Sequence, residues 1–412
     1  MNLPASPVRS GTTDDRGVAL VVVGVGVCSA LHVGKLPVAI PYLQAELGLN
    51  LVQAGFLLSL VQLAGLSLGL VVGLLADRLG PRRVMLAGLC VLAAGSAGGA
   101  LAPDVNRLLL SRVVEGAGFL LTVLPAPGLL RLHLHDPVRL SRALGWWGTY
   151  MPMGTALALL LGVPLMAWSG WRTTWWLLAL AGLAAAAWLA LRVPAPAAGS
   201  GEAAAAASSL WPRLKRTLQA PGPWLVALGF LLYSGQWLAV IGFLPTIYVQ
   251  SGLGATEVAV LSALAAAVNM VGNVAAGRWL ARGARPGVLV ALGYGAMAAG
   301  AVVTFGAVGH PVLQYLAVLL FSSVGGLIPG TLFGVAVVLA PGRDTVSTTV
   351  GWMQQFSALG QFIGPPAVAW WVTRVGGWQW TWVVTGACSL LGLLLAARLQ
   401  REWRGRPGSP TR

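Results

Sequence analysis

Uninterrupted apolar runs of about twenty residues follow one another along almost the whole chain, and this constrains the fold more than any single motif. A run of that length matches the hydrocarbon thickness of a bilayer when it is helical. Helices are required there, because backbone N–H and C=O groups in hydrocarbon have no water to bond and must close within their own segment. Turn signals divide the chain into twelve spans, at roughly 18–41, 51–75, 84–102, 107–130, 142–167, 173–192, 222–250, 256–280, 287–308, 312–340, 348–373 and 379–398. The expected fold class is an all-α membrane protein of twelve transmembrane helices. The first run is too long for a signal-peptide core and lacks a clear small-residue cleavage site, so it is expected to persist as the first helix.

Composition removes other classes. Of the 412 residues 57% are apolar and 9% charged, whereas a soluble domain carries roughly 25% charged residues, so an ordinary soluble enzyme is excluded. Cys28, Cys90 and Cys388 all lie in apolar runs, an odd number without paired spacing, and neither a disulfide framework nor a metal site is expected. A formal charge of +15 invites a nucleic-acid reading. The basic residues, nearly all arginine, instead sit in short clusters between apolar runs, so no nucleic-acid partner is expected. With a cytoplasmic N-terminus, 21 of the 26 Lys and Arg residues fall on the cytoplasmic side, the bias that sets orientation in membranes. The expected location is the cell inner (plasma) membrane, multi-pass, with both termini cytoplasmic.

Internal duplication comes next. Gly145-Trp146, Gly154, Gly170-Trp171 and Trp175 recur as Gly351-Trp352, Gly360, Gly377-Trp378 and Trp382, while Gly73, Arg78 and Val84 recur as Gly277, Arg282 and Val288. The copies run in the same direction, as in transporters built from parallel repeats. This divides the chain into an N-terminal six-helix half at 1–192, a cytoplasmic linker at 193–221, and a C-terminal six-helix half at 222–412 that ends in a cytoplasmic tail.

Polar side chains are costly in lipid and turn toward a cavity or a neighbouring helix. His32 and Lys35 lie in span one, Gln62 in span two, Arg112 and Glu115 in span four, Gln236 in span seven, Asn269 and Asn273 in span eight, and Gln354, Gln355 and Gln361 in span eleven. Spans three, six, nine and twelve carry none of these in their middles and read as peripheral. Residues three or four apart share a helical face, which makes stripes of Cys28, His32 and Lys35, of Tyr233, Gln236 and Trp237, of Asn269 and Asn273, and of Gln354, Ser357 and Gln361. Two readings stand for the amides: a solute pathway near the midplane, or interhelical hydrogen bonds that hold the bundle together.

Between spans two and three the chain reads Gly73-Leu74-Leu75-Ala76-Asp77-Arg78-Leu79-Gly80-Pro81-Arg82-Arg83. This resembles the signature loop of the major facilitator superfamily (MFS), and with twelve spans, duplicated halves and a central linker the resemblance covers nearly the whole chain. It implies the MFS fold and a gating loop formed by Gly73, Asp77, Arg78, Gly80, Arg82 and Arg83. In it Asp77 accepts from the N-terminus of span eleven near Thr348, and the arginines hold the cytoplasmic side and pair with acids there. Pro81 stands where the family often has a basic residue. The second copy has Ala281 in place of the acid, so a lopsided latch is expected.

Span four reads Arg112-Val113-Val114-Glu115-Gly116-Ala117-Gly118, similar to the superfamily's Arg-x-x-acid/amide-Gly pattern, which by resemblance is associated with proton coupling. The alternative is a self-neutralised Arg112–Glu115 pair. Glu115 is the only acid far from a predicted membrane surface. Lys35 has two readings as well: snorkelling to the membrane boundary, or a cationic pocket with His32 and Arg112 for an anionic solute. Gly148 to Gly154, with Tyr150, and Gly360 to Pro366 resemble the glycine-proline stretch of superfamily exchangers and drug exporters, and imply closely packed helices able to bend. The span-seven region with Tyr233, Gln236 and Trp237 is loosely similar to cyanate and nitroimidazole-type porters.

The expected function is a secondary active transporter that moves a small organic solute, an anion in preference, by alternating access with ion or proton coupling. One alternative is a proton-driven multidrug efflux antiporter, although such exporters usually carry an acid in span one where this chain has His32 and Lys35. A non-transporting membrane sensor or assembly factor is the alternative of another class. No phosphate-binding loop ending in Gly-Lys-Ser/Thr occurs, so ATP, an enzymatic activity and a cofactor are not expected. His133, His135 and Asp136 read as interface residues. The expected partners are a small-molecule substrate, protons and the lipid bilayer, with the chain acting as a monomer.

Overall fold

The computed structural model describes residues 14–134, 136–194, 210–342 and 345–405, and among them the regular structure is helical throughout. The helices are α1 (Asp14–Leu47), α2 (Leu51–Ser59), α3 (Leu63–Leu79), α4 (Pro81–Ala100), α5 (Val105–Val123), α6 (Ala126–His133), α7 (Pro137–Trp147), α8 (Tyr150–Arg192) and α9 (Leu210–Gln219). They continue as α10 (Pro221–Gln250), α11 (Ala255–Ala267), α12 (Asn269–Ala281), α13 (Pro286–Gly306), α14 (Pro311–Gly325), α15 (Leu327–Leu339), α16 (Val346–Val375) and α17 (Thr381–Arg404). Ten helical stretches are long and apolar enough to cross a membrane. One of them, Arg142–Arg192, contains two spans that turn at Gly170, whose φ of 77° closes a left-handed corner. The glutamine-bearing α16 completes the set of twelve.

Several spans differ from one continuous helix. Span two breaks at the 3-10 turn Leu60–Gln62, span four between Val123 and Ala126, span eight at Val268 and span ten at Gly326. Spans eight and ten are the later copies of spans two and four, so the breaks follow the duplication. In span four the cause is Pro125, which cannot donate to the helical ladder. Span five begins later than the apolar pattern suggests: an amphipathic helix, α7, ends at Trp147, and α8 starts only after Gly148 and Thr149. The prolines of α1, Pro37 and Pro41, leave that helix unbroken. Of the expected linker, residues 195–209 lie outside the described residues, and its far end is helical as α9.

The parallel repeat is visible in the turns. Six of the seven positive-φ glycines among the described residues fall at matching turns: Gly48 with Gly252, Gly80 with Gly283, and Gly170 with Gly376, one residue before its sequence copy Gly377. Trp171 donates to Glu46 at 2.6 Å, and its copy Trp378 donates to Gln250 at 2.8 Å. Gly154 of α8 lies against the Val27 carbonyl and Ala30 of α1, and Gly360 of α16 lies against the Leu231 carbonyl and Ser234 of α10. Both glycines serve close helix approach.

The halves meet mostly at the end of the bundle away from the chain termini. One apolar core joins Leu36, Ile40, Leu57 and Leu58 of the first half to Val240, Phe243, Val258 and Ala259 of the second. Every first-half residue of that core lies toward the far end. Toward the termini, among the described residues, the first half keeps separate cores, such as Val18, Val22, Met85 and Leu189. Gly55 lets α2 sit on α16, since a Cβ there would lie 2.8 Å from Pro366. The two halves are thus sealed together at one end and carry independent cores at the other.

Candidate functional site

Helical spacing puts Arg112 and Glu115 on one face of α5, and His32 and Lys35 on one face of α1. The two faces meet. Lys35 Nζ and Arg112 Nη1 each donate to a different carboxylate oxygen of Glu115, and His32 Nδ1 lies 3.4 Å from the oxygen that Lys35 bonds. Arg112 also donates to the His32 carbonyl at 3.0 Å and to the Leu57 carbonyl at 3.3 Å, tying α5 to α1 and α2. All four side chains are buried, none more than 1% exposed. Lys35 therefore points inward rather than snorkelling to a boundary.

Two further residues complete this cluster, and both come from spans that read as peripheral. Lys35 Nζ donates to Ser96 Oγ at 3.0 Å, Ser96 donates to the Trp175 carbonyl at 2.8 Å, and the ammonium lies 4.2 Å from the centre of the Trp175 ring. A cation over an indole face in a dry site is stabilised by the ring quadrupole. The small residues of the sequence permit the approach: a Cβ on Gly95 would lie 2.7 Å from the Glu115 amide, and one on Gly116 would lie 2.6 Å from the Val61 carbonyl. The available signal for Ser96 and Trp175 was weak, a lone serine and a tryptophan that reads first as a repeat marker.

One carboxylate thus faces an amine, a guanidinium and an imidazole. Burying ions is expensive unless they pair with good geometry. Among the described residues, His32 Nε2, Arg112 Nη2 and Trp175 Nε1 are buried without a hydrogen-bond partner. Chemically the cluster can carry a proton on Glu115 or His32, or accept negative charge.

The second half holds a neutral network. Asn269 Nδ2 donates to Tyr233 Oη at 2.8 Å and to the Ser322 carbonyl at 2.9 Å, and Asn273 Nδ2 donates to Asn269 Oδ1 at 3.0 Å. Trp237 Nε1 donates to Ser322 Oγ at 3.2 Å. Gln236 departs from the expected stripe: it accepts from Ser389 of α17 at 3.0 Å and donates to Leu232 O, so it lies between α10 and α17 instead of with Tyr233 and Trp237.

Between the halves, Gln62 Nε2 donates to Gln361 Oε1 at 3.0 Å, Gln361 donates to Ser357 at 3.2 Å, and Gln355 donates to the Leu66 carbonyl at 3.3 Å. Gln354 is exposed. Tyr150 stacks on Trp147 with ring centres 4.5 Å apart, away from the charged cluster's hydrogen bonds.

The gating loop turns at Gly80, φ 85°, and Pro81 occupies the first position of α4, where a missing N–H costs nothing. Its second copy turns at Gly283 and begins α13 with Pro286. Arg82 donates to the carbonyls of Ala190 and Val193, both at 2.7 Å, and so caps the C-terminus of α8 rather than pairing with an acid. Arg78 and Arg83 are exposed, and Gly73 faces the side chain of Leu124. The side chain of Asp77 lies outside the described residues, as does His135. His133 bonds the Leu129 carbonyl of its own helix at 3.0 Å.

Comparison with known proteins follows the same outline. The profile of the Major Facilitator Superfamily matches residues 22–365. Curated relatives include a major facilitator superfamily multidrug transporter of Aspergillus fumigatus, 29% identical over 146 residues, 35% of this chain and 28% of that protein. The tetracenomycin C resistance and export protein of Streptomyces glaucescens is 32% identical over 168 residues, 40% of this chain and 31% of that protein. Each alignment spans about a third or less of the relative's length. Among solved structures, a bacterial homologue of the human lysosomal transporter Spinster, inward-facing and unoccupied, superposes with a TM-score of 0.78 at 15% identity, covering 98% of this chain and 100% of that one. A D-xylose-proton symporter superposes with a TM-score of 0.74 at 15% identity, covering 96% and 99%. These likenesses at low identity concern the fold.

Proposed function

Because the chain belongs to the Major Facilitator Superfamily, and so is a multi-span membrane transporter rather than an enzyme, we propose that it is a secondary active transporter of a small organic solute, an anion in preference, coupled to protons. In this reading two six-helix halves, 1–192 and 222–412, rock about their shared interface as a monomer in the inner (plasma) membrane, and 193–221 connects them on the cytoplasmic side with both termini. The seal at the end away from the termini then corresponds to an inward-facing arrangement. The observation that carries the reading is the buried cluster in which two basic side chains, Lys35 and Arg112, surround the one carboxylate of Glu115, with Arg112 Nη2 and His32 Nε2 unpartnered among the described residues. Excess buried positive charge is costly, and an arriving anion relieves it and so lets Glu115 or His32 take up a proton. Glu115 and His32 carry the proton; Tyr233, Asn269, Asn273, Trp237, the exposed Gln354 and the interface glutamine Gln361 supply neutral contacts along the path. Asp77 and the loop arginines latch the cytoplasmic gate.

The second reading, proton-driven drug efflux, is favoured by the printed roles of relatives, which include a multidrug transporter and a resistance and export protein. Proteoliposomes holding a pH-sensitive dye separate the two. Small carboxylates or inorganic anions are expected to drive proton movement in the wild type and not in Glu115→Gln. Movement driven only by cationic drugs replaces the first reading with the second, and movement driven by no solute at all leaves a non-transporting role.

A further inference from the structure

At the end of the bundle that carries the termini, two adjoining cavities of about 590 and 450 Å³ run between α10 and α17 and share Leu228, Leu395, Arg398 and Arg401. The deeper part is lined by Leu231, Leu232, Leu391 and Leu394. The rim toward the termini carries Arg398 and Arg401, three residues apart on α17 and both exposed, together with Trp224 of α10. Neither guanidinium has an ion-pair or hydrogen-bond partner among the described residues, whereas Glu402 on the same rim has an interaction of its own. From Pro221 to Leu232 the groove follows α10 for about 16 Å, close to the depth of one bilayer leaflet.

The first half closes the corresponding place. Trp188 lies on Gly24 so closely that a Cβ on that glycine would sit 2.5 Å from the indole ring. In the second copy the tryptophan position is Leu395, by the spacing that pairs Trp171 with Trp378 and Trp175 with Trp382, and the glycine position is Leu228; both line the groove, which a leucine in place of the indole leaves open. The basic rim and the leucine floor are therefore features of one half, not a by-product of the fold's symmetry.

We propose that this groove holds an anionic phospholipid of the leaflet on the side of the termini, with its phosphate between Arg398 and Arg401 and its acyl chains along the leucines. A guanidinium fork matches the geometry of a phosphate, an indole with a polar edge suits the headgroup boundary, and basic pockets between transmembrane helices bind anionic headgroups. A free phosphate ester uses the rim but not the leucine floor.

The test uses the full chain in detergent, titrated separately with phosphatidylglycerol, phosphatidylethanolamine and sn-glycerol 3-phosphate, with bound lipid read by native mass spectrometry and protection read by thermal shift. Phosphatidylglycerol is expected to bind the wild type about thirtyfold more tightly than it binds R398Q/R401Q, the equivalent of roughly 1 kcal/mol per arginine. Leu395→Trp keeps both arginines and fills the groove as Trp188 does in the other half, so it should lose the bound lipid even if the double variant fails to fold. Arg374→Gln, at the opposite end, should bind as the wild type does. Equal affinity for the two lipids, full protection by sn-glycerol 3-phosphate alone, or undiminished phosphatidylglycerol binding in Leu395→Trp overturns the proposal.

Discussion

The first half buries four titratable side chains, His32, Lys35, Arg112 and Glu115, where the second half at the repeated positions buries Gln236, Ala239, Val318 and Phe321. The turns, the close helix contacts and the tryptophan clamps are shared, so backbone architecture does not require the charges. In the second half the space is filled by apolar packing and by an amide network with its bonds satisfied. Replacing buried ions with apolar groups of similar volume is commonly neutral or stabilising. An ionic cluster kept in one half of a duplicated frame is a cost to stability that the other copy avoids, which is the reason for assigning it to coupling rather than to holding the bundle together.

The contrast predicts its own perturbations. Glu115→Gln should have the largest effect: removing the carboxylate leaves Lys35 and Arg112 buried without a counter-ion, a loss of roughly 3–5 kcal/mol, with solute-driven proton flux abolished. Adding Lys35→Met should recover much of the thermal stability, because it also removes an unpaired cation, but it should not recover flux. If the double variant transports normally, the charged cluster is structural and the two halves do not differ in role. By contrast, Asn269→Ala in the neutral half should cost about 1–3 kcal/mol through the partners it strands and leave proton coupling per solute intact.

Smaller effects sharpen the picture. Gln62→Ala removes the bond to Gln361 across the sealed end and should shift the population toward the state open there by roughly 0.5–1.5 kcal/mol, read as increased labelling of a cysteine placed at position 58. Arg82→Gln removes the cap on α8 and should lower stability by about 0.3–1 kcal/mol, whereas Arg83→Gln, which is exposed, should change it less. Glu46→Gln converts the first tryptophan clamp into a copy of the second, in which Trp378 bonds Gln250. Because the Arg172–Glu46 pair it breaks is substantially exposed, the expected loss is at most about 1 kcal/mol, measured by thermal unfolding in nanodiscs.

Much of this molecule is written in local pattern. The apolar runs, the repeated glycines and tryptophans, and the loop from Gly73 to Arg83 were legible because each depends on residues near one another in the chain. His32 with Lys35, and Arg112 with Glu115, could be paired by helical spacing alone. Ser96 and Trp175 could not, since they lie on spans whose middles look like lipid-facing sequence, and only the packing permitted by Gly95 and Gly99 brings them to Lys35. The stripe of Tyr233, Gln236 and Trp237 failed at one member for a related reason: a helical face about 100° wide can touch two neighbours, and Gln236 found Ser389 on one side while Tyr233 and Trp237 found Asn269 and Ser322 on the other.

The residue order alone determined that the chain must cross a membrane many times, that it does so in two copies of one plan, and which few side chains would be costly there, because hydrocarbon thickness and helical period act on consecutive residues. The tertiary structure alone decided that both cations of the first half converge on one carboxylate, that the halves are sealed at a single end, and that a basic groove is open in one copy and plugged by Trp188 in the other. Those outcomes depend on how closely helices far apart in the chain can approach, which is set by the shapes of facing surfaces and not by the period of either one.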